Sequence, residues 1–160
     1  MAARLQLFDL SLKTEDIASA SEQLTELKKI SGESELILFL DACLRYSKGS
    51  VEEVLAAFGK IAAGNLEAKK NIARIHYNSG NYQTAAETWQ EVISQNPDDK
   101  EALLNIGRSY FYLGNLEKAQ EYFSKAGFKV SPEKFSPKKV PLVYETLLKE
   151  VKFDIRCKNQ

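Results

Sequence analysis

Two side-chain types recur together in this chain: Asn71 with Arg74 and, 34 residues further on, Asn105 with Arg108. An amide and a guanidinium three residues apart share one face of a helix, and together they present hydrogen-bond donors suited to a carboxylate. That chemistry holds a ligand; it does not break bonds. Either arginine also has acids within reach, Glu67 and Glu101 among them, and an exposed pair of that kind contributes little to stability. Residues that do break bonds are sparse. The one histidine, His76, falls on an apolar helix face, where it is expected to pack between helices. Glu52 and Glu53, and Asp98 and Asp99, stand where helices begin, with Asp98 and Glu101 at capping-box spacing. Cys43 and Cys157 have no metal-ligand spacing to a neighbour, no glycine-rich phosphate loop follows a strand, and no serine is tied to a base. The expectation is a non-enzymatic chain with no catalytic residue, no metal and no cofactor.

The elements that must position the Asn and Arg pairs follow from the same spacing. EAKKNIARIHYNSGNYQTAAETWQEVISQNPDD and EALLNIGRSYFYLGNLEKAQEYFSKAGFKVSPE align without a gap at an offset of 34 residues. Ile72, Ala73 and His76, and likewise Ile106, Gly107 and Tyr110, recur at the three-to-four spacing of one helix face. Gly80 and Gly114 close these first helices, because the residue after a helix end often needs positive φ. On the second helix of each unit Ala85 and Ala119 allow close approach, and Trp89 and Phe123 fill the space beside that contact. Each unit is therefore an antiparallel helical hairpin.

The period, the small residues Ala73 and Gly107, the turn glycines, the alanines, the aromatics and Pro97 together resemble the tetratricopeptide repeat, over residues from about 35 to 131. The match is imperfect: Lys69 and Leu103 replace the family's frequent Trp, His76 replaces its Tyr, and Pro132 falls one residue late. The resemblance implies an all-α fold, a right-handed stack of antiparallel hairpins whose first helices line a concave groove. It also implies a peptide-binding face: Lys70, Asn71, Arg74, Tyr77 and Asn78 from one repeat, and Leu104, Asn105, Arg108, Phe111 and Tyr112 from the next. In one register the family's carboxylate clamp is matched at Lys70 and Asn105, with Arg74 where its first Asn belongs; in the alternative register Asn71 fits, but Phe39, Cys43 and Glu101 do not.

Around these two repeats, 66–99 and 100–133, a degenerate one is expected over 34–64. There Gly49 is followed by Val54, Phe58 and Ile61 at the same spacings and preceded by Ala42. Its register departs by placing Asp41 and Arg45 where Ile72 and His76 sit in the next copy. An N-terminal packing helix over 14–31 starts at Thr14 and carries Ile17, Ala20, Leu24, Leu27 and Ile30 in one stripe. A capping helix over 141–156 carries Tyr144, Leu147, Leu148, Val151 and Ile155. Residues 1–12 have no assignable element. All of this is expected to form one domain over 1–160.

Composition bounds the partners. The 22 basic and 22 acidic side chains cancel, which leaves no general electrostatic reason to seek nucleic acid or an anionic membrane. Residues 127–160 are locally basic, and the longest apolar run, Leu36–Leu44, is short and interrupted by Asp41. Two distant cysteines fit a reducing, cytoplasmic setting. The function expected is a protein-interaction adaptor that takes an extended or helical partner segment of some acidic character in its groove, by itself or as a subunit of a larger complex. The alternatives are a dedicated secretion-type chaperone or co-chaperone, and a structural subunit that uses its convex face and terminal helices.

Overall fold

A computed structural model describes residues 1–128, which among them form eight α-helices and no strand. They are α1 (Ala2–Lys13), α2 (Ile17–Ser31), α3 (Glu35–Ser47), α4 (Val51–Gly59), α5 (Leu66–Asn78), α6 (Tyr82–Gln95), α7 (Lys100–Tyr112) and α8 (Leu116–Lys125). The helix expected over 141–156, the end of the repeat at 129–133 and Cys157 lie outside the described residues. Consecutive helices pair, so that α1 packs on α2, α3 on α4, α5 on α6 and α7 on α8.

Each pair turns at one residue with a left-handed backbone: Glu15 (φ 58°), Gly49 (φ 85°), Gly80 (φ 81°) and Gly114 (φ 76°). The turns at Gly80 and Gly114 use the hydrogen bonds expected where a helix ends in that conformation. Gly80 N–H donates to Tyr77 O and Asn81 N–H to His76 O; Gly114 N–H donates to Phe111 O and Asn115 N–H to Tyr110 O. Side chains five, nine and twelve places after the turn are buried in every hairpin: Ala20, Leu24 and Leu27, then Val54, Phe58 and Ile61, then Ala85, Trp89 and Val92, then Ala119, Phe123 and Ala126. Seven places before it stand Phe8, Ala42, Ala73 and Gly107. The last of these must be small, because a Cβ on Gly107 would come within 2.6 Å of the Phe123 ring.

Three expectations change. Residues 2–13 are helical, so the N-terminal helix is the second arm of a hairpin. Thr14 closes α1 through its N–H to Leu10 O, and α2 starts instead at Asp16, whose carboxylate accepts from Ser19 N–H at 3.0 Å. The start of α7 is likewise one residue later than expected, capped by Asp99 accepting from Ala102 N–H at 3.0 Å. In the degenerate hairpin Arg45 binds Asp41 of the same helix at 2.6 Å and Glu53 of α4 at 2.8 Å, so an ion pair links α3 to α4 from the place where His76 and Tyr110 stand in the later copies.

The described residues fall into two compact units, Met1–Gly64 and a second that begins at Asn65. The first has a core of Leu5, Phe8, Leu24, Leu27, Ile37, Leu40 and their neighbours from α1, α2 and α3. The second has a core of Ala73, Trp89, Val92, Ile106, Phe123 and their neighbours from α5 to α8.

Candidate functional site

In the second unit α5 and α7 are the first helices of successive hairpins, joined through α6, which packs on both. Each is held at its start by a side chain that accepts a backbone N–H, Asn65 from Ala68 at 2.8 Å and Asp99 from Ala102 at 3.0 Å. The ten residues expected to face a ligand separate into a buried set and a half-buried set.

Lys70, Asn71, Arg74, Tyr77 and Asn105 are buried. Arg74 is wholly enclosed: its Nε donates to Glu101 Oε1 at 3.1 Å, its Nη2 donates to the same oxygen, and its Nη1 donates to Asn71 Oδ1 at 2.6 Å. Its guanidinium also lies 5.5 Å from the centre of the Trp89 ring. Lys70 Nζ sits 2.6 Å from Asp99 and 3.3 Å from Glu67. Burial disfavours the Lys70 ammonium, but the Asp99 hydrogen bond and the charges of Glu67, Asp99 and Glu101 outweigh it and hold its pKa above the usual lysine value. Two cations and three carboxylates thus tie α5 to the start of α7. This network occupies the guanidinium and ammonium that the sequence offered to a ligand, including the Lys70 of the partial clamp.

The Arg74–Asn71 contact is repeated one unit on, where Arg108 Nη1 donates to Asn105 Oδ1 at 2.9 Å. Here the arginine is half-buried, and Asn105 Nδ2 is buried with no hydrogen-bond partner. Asn78, Leu104, Phe111 and Tyr112 are also half-buried. Tyr112 stacks on Tyr82 with ring centres 4.8 Å apart and meets Tyr77 and Phe111 edge-on at 5.9 and 5.4 Å. Such ring pairs add about 0.5–1.5 kcal/mol beyond the area they bury. Tyr82 was not anticipated, because it belongs to the first turn of α6 and not to a groove-lining helix; its place two residues after the turn glycine is the signal in the sequence.

His76 is half-buried on α5 and its Nδ1 has no hydrogen-bond partner. Burial lowers its pKa, which favours the neutral ring at pH 7. Among the described residues no group of three or more His, Cys, Asp or Glu is placed to hold a metal ion, and no helix is long and apolar enough to cross a membrane. Burial raises the pKa of the Cys43 thiol far above its usual range, which keeps it protonated.

Comparison with known proteins agrees with this geometry. The family model described as tetratricopeptide repeat matches residues 70–129. The chain is 29% identical over 107 residues to the BBSome complex member BBS4 of Bos taurus, covering 63% of this chain and 20% of that protein. The Mus musculus protein of the same name matches to the same extent. The chain thus spans about a fifth of the length of these curated relatives. Among solved structures, a tetratricopeptide repeat protein from Parabacteroides merdae superposes with a TM-score of 0.62 at 21% identity, covering 77% of this chain and 50% of that one. MamA superposes with a TM-score of 0.63 at 21% identity, covering 77% and 74%. These two establish likeness of fold. With its 34-residue unit and glycine-closed hairpins, the segment 70–129 matches the tetratricopeptide repeat, and the described helices share the fold of a tetratricopeptide repeat protein.

Proposed function

We propose that this chain is a non-catalytic protein-interaction scaffold that receives a segment of a partner protein beside the C-terminal half of α7. The observation that carries this is the division of the repeat face into two parts. Lys70, Asn71, Arg74, Tyr77 and Asn105 form a buried frame, and over it Asn78, Leu104, Arg108, Phe111 and Tyr112 remain partly open to solvent. A guanidinium beside two aromatic rings suits a segment that alternates acidic and apolar side chains. The 29% identical relatives are named as members of a complex, which supports a role as one subunit or module of a larger assembly.

The test is titration calorimetry against a partner recovered by affinity purification and mass spectrometry. Arg108→Ala is expected to weaken binding by about 1–3 kcal/mol and Tyr112→Ala by about 2 kcal/mol, with circular dichroism unchanged. Unchanged affinity in both variants moves the binding surface elsewhere on the molecule.

A further inference from the structure

The place that tyrosines fill in the second unit is a cleft in the first. Four positions define it: three places before one hairpin turn, two places after it, and three and two places before the next turn. In the second unit these are Tyr77, Tyr82, Phe111 and Tyr112, all of them rings. Tyr82 stacks on Tyr112 at 4.8 Å and meets Tyr77 edge-on at 5.4 Å, so the two hairpins meet there through aromatic contacts. In the first unit the same four places hold Leu12, Ile17, Tyr46 and Ser47. One ring stands in place of four, and a cleft of about 460 Å³ remains, lined by these residues and Glu15. That volume lies within the range of ligand clefts, about 300–1,000 Å³.

Glu15 brings a charge to the cleft. It occupies the turn, where Gly80 stands in the second unit, and holds φ 58°, a conformation that glycine adopts freely and an L-residue adopts under strain. Gly49, Gly80 and Gly114 serve the other hairpin turns among the described residues, so the glutamate stands here against a backbone preference. Its neighbours are engaged elsewhere. Asp16 accepts from Ser19 N–H at 3.0 Å and from the Ser19 hydroxyl at 2.6 Å, and Lys13 bonds Asp9 at 3.0 Å. No lysine or arginine among the described residues makes an ion pair with Glu15. Leu12, Ile17 and Tyr46 are half-buried and give the cleft apolar walls, whereas Glu15 and Ser47 are exposed. The Ser47 hydroxyl donates to Cys43 O at 3.3 Å, so Ser47 contributes room more than a hydrogen bond.

We propose that this cleft binds a basic side chain, a lysine or arginine, with its apolar stem against Leu12, Ile17 and the Tyr46 ring and its cation on the Glu15 carboxylate. Such a group is favoured over an acid or a neutral chain of the same length, because the stem leaves water while the charge gains a partner. The basic residue belongs to another protein or to residues 129–160 of this chain, whose C-terminal fifth is rich in lysine. The cleft lies in the first unit, prefers the opposite charge to the surface around Arg108, and does not depend on it.

The test is titration of the isotope-labelled full chain with N-acetyl-lysine N-methylamide and with N-acetyl-arginine N-methylamide, followed by two-dimensional NMR. At least one of them is expected to shift the backbone signals of Leu12, Glu15, Ile17, Tyr46 and Ser47 saturably. Glu15→Gln removes the charge and keeps the length, and should bind about fivefold more weakly or worse. Ser47→Tyr places a ring where the second unit has Tyr112, and should lose binding by filling the cleft. The norleucine amide, which has the stem without the charge, should not saturate. Glu15→Gly is expected to melt higher and yet to lose binding, a combination that a purely structural role does not produce. If the chain's own basic residues occupy the cleft, the added amides do not saturate and Glu15→Gln instead shifts signals within 129–160, which supports the ligand chemistry and assigns its source to the chain. Equal binding by wild type and Glu15→Gln, saturation by the norleucine amide over the same concentrations, or no response in either experiment overturns the proposal.

Discussion

Asp99 carries two interactions that one substitution separates. Its Oδ1 caps α7 by accepting from Ala102 N–H, and its Oδ2 holds the Lys70 ammonium at 2.6 Å. Burial works against the Asp99 carboxylate, but the Lys70 hydrogen bond and charge and the N–H groups of Ala102 and Glu101 prevail and keep its pKa below the usual 3.8. Asn caps a helix as well as Asp, so Asp99→Asn removes the charge and keeps the cap. At pH 7 the variant is expected to be less stable by about 2 kcal/mol, the range of a charge-assisted bond, because Glu67 and Glu101 still partially neutralise Lys70. A depressed carboxyl pKa stabilises the folded state above the unfolded pKa of about 4, and that contribution disappears as pH falls through the folded value. The difference between wild type and variant should therefore shrink in acid. Urea midpoints at pH 7 and pH 3 measure it; an equal difference at both pH values would dissociate the Asp99 charge from Lys70.

The hairpin turn is the element on which the repeat depends, and it occurs here with two chemistries. Gly49, Gly80 and Gly114 adopt positive φ without cost from a Cβ, whereas Glu15 adopts φ 58° with one. An L-residue in that conformation is strained by about 1–2 kcal/mol, partly offset on replacement by glycine's greater freedom in the unfolded chain. Glu15→Gly is accordingly expected to stabilise the protein by about 0.5–1 kcal/mol, while Gly114→Val at the equivalent turn should destabilise it by at least about 1 kcal/mol. Opposite shifts in melting temperature are the expected outcome. Shifts of the same sign would mean that the two turns are not equivalent. Glu15 also explains why the first hairpin was not apparent in the sequence: a search guided by turn glycines passes over a glutamate. Ala20, Leu24 and Leu27 nevertheless follow it at the same intervals at which Ala85, Trp89 and Val92 follow Gly80.

At the scale of the molecule, the two units have separate apolar clusters, and the single tryptophan, Trp89, belongs to the second. Leu24→Ala empties part of the first cluster, and truncation of a buried leucine costs about 2–5 kcal/mol. In a repeat protein such a loss is felt most within its own unit and at the nearest interface. Urea unfolding of the variant should then show helical circular dichroism lost at lower denaturant than Trp89 fluorescence changes. Coincident transitions would show that the described helices unfold as one cooperative body. The sequence by itself determined the hairpins of α5 to α8, because their turns, small residues and aromatics obey rules that operate within some 20 residues and recur with the period. It also determined the helical character of α2, α3 and α4 through their apolar stripes. Tertiary structure alone decided the direction of the polar side chains. Arg74 is in reach of a ligand or of Glu101 on the evidence of spacing, and only the packing of α5 beside α7 closes the 27-residue separation and buries the pair. The same holds for α1, whose Leu7 and Leu10 have the pattern of a core and lie in solvent. A side chain's type and period state which face it shares, but its burial depends on whether another helix, distant in sequence or on another chain, arrives to cover that face.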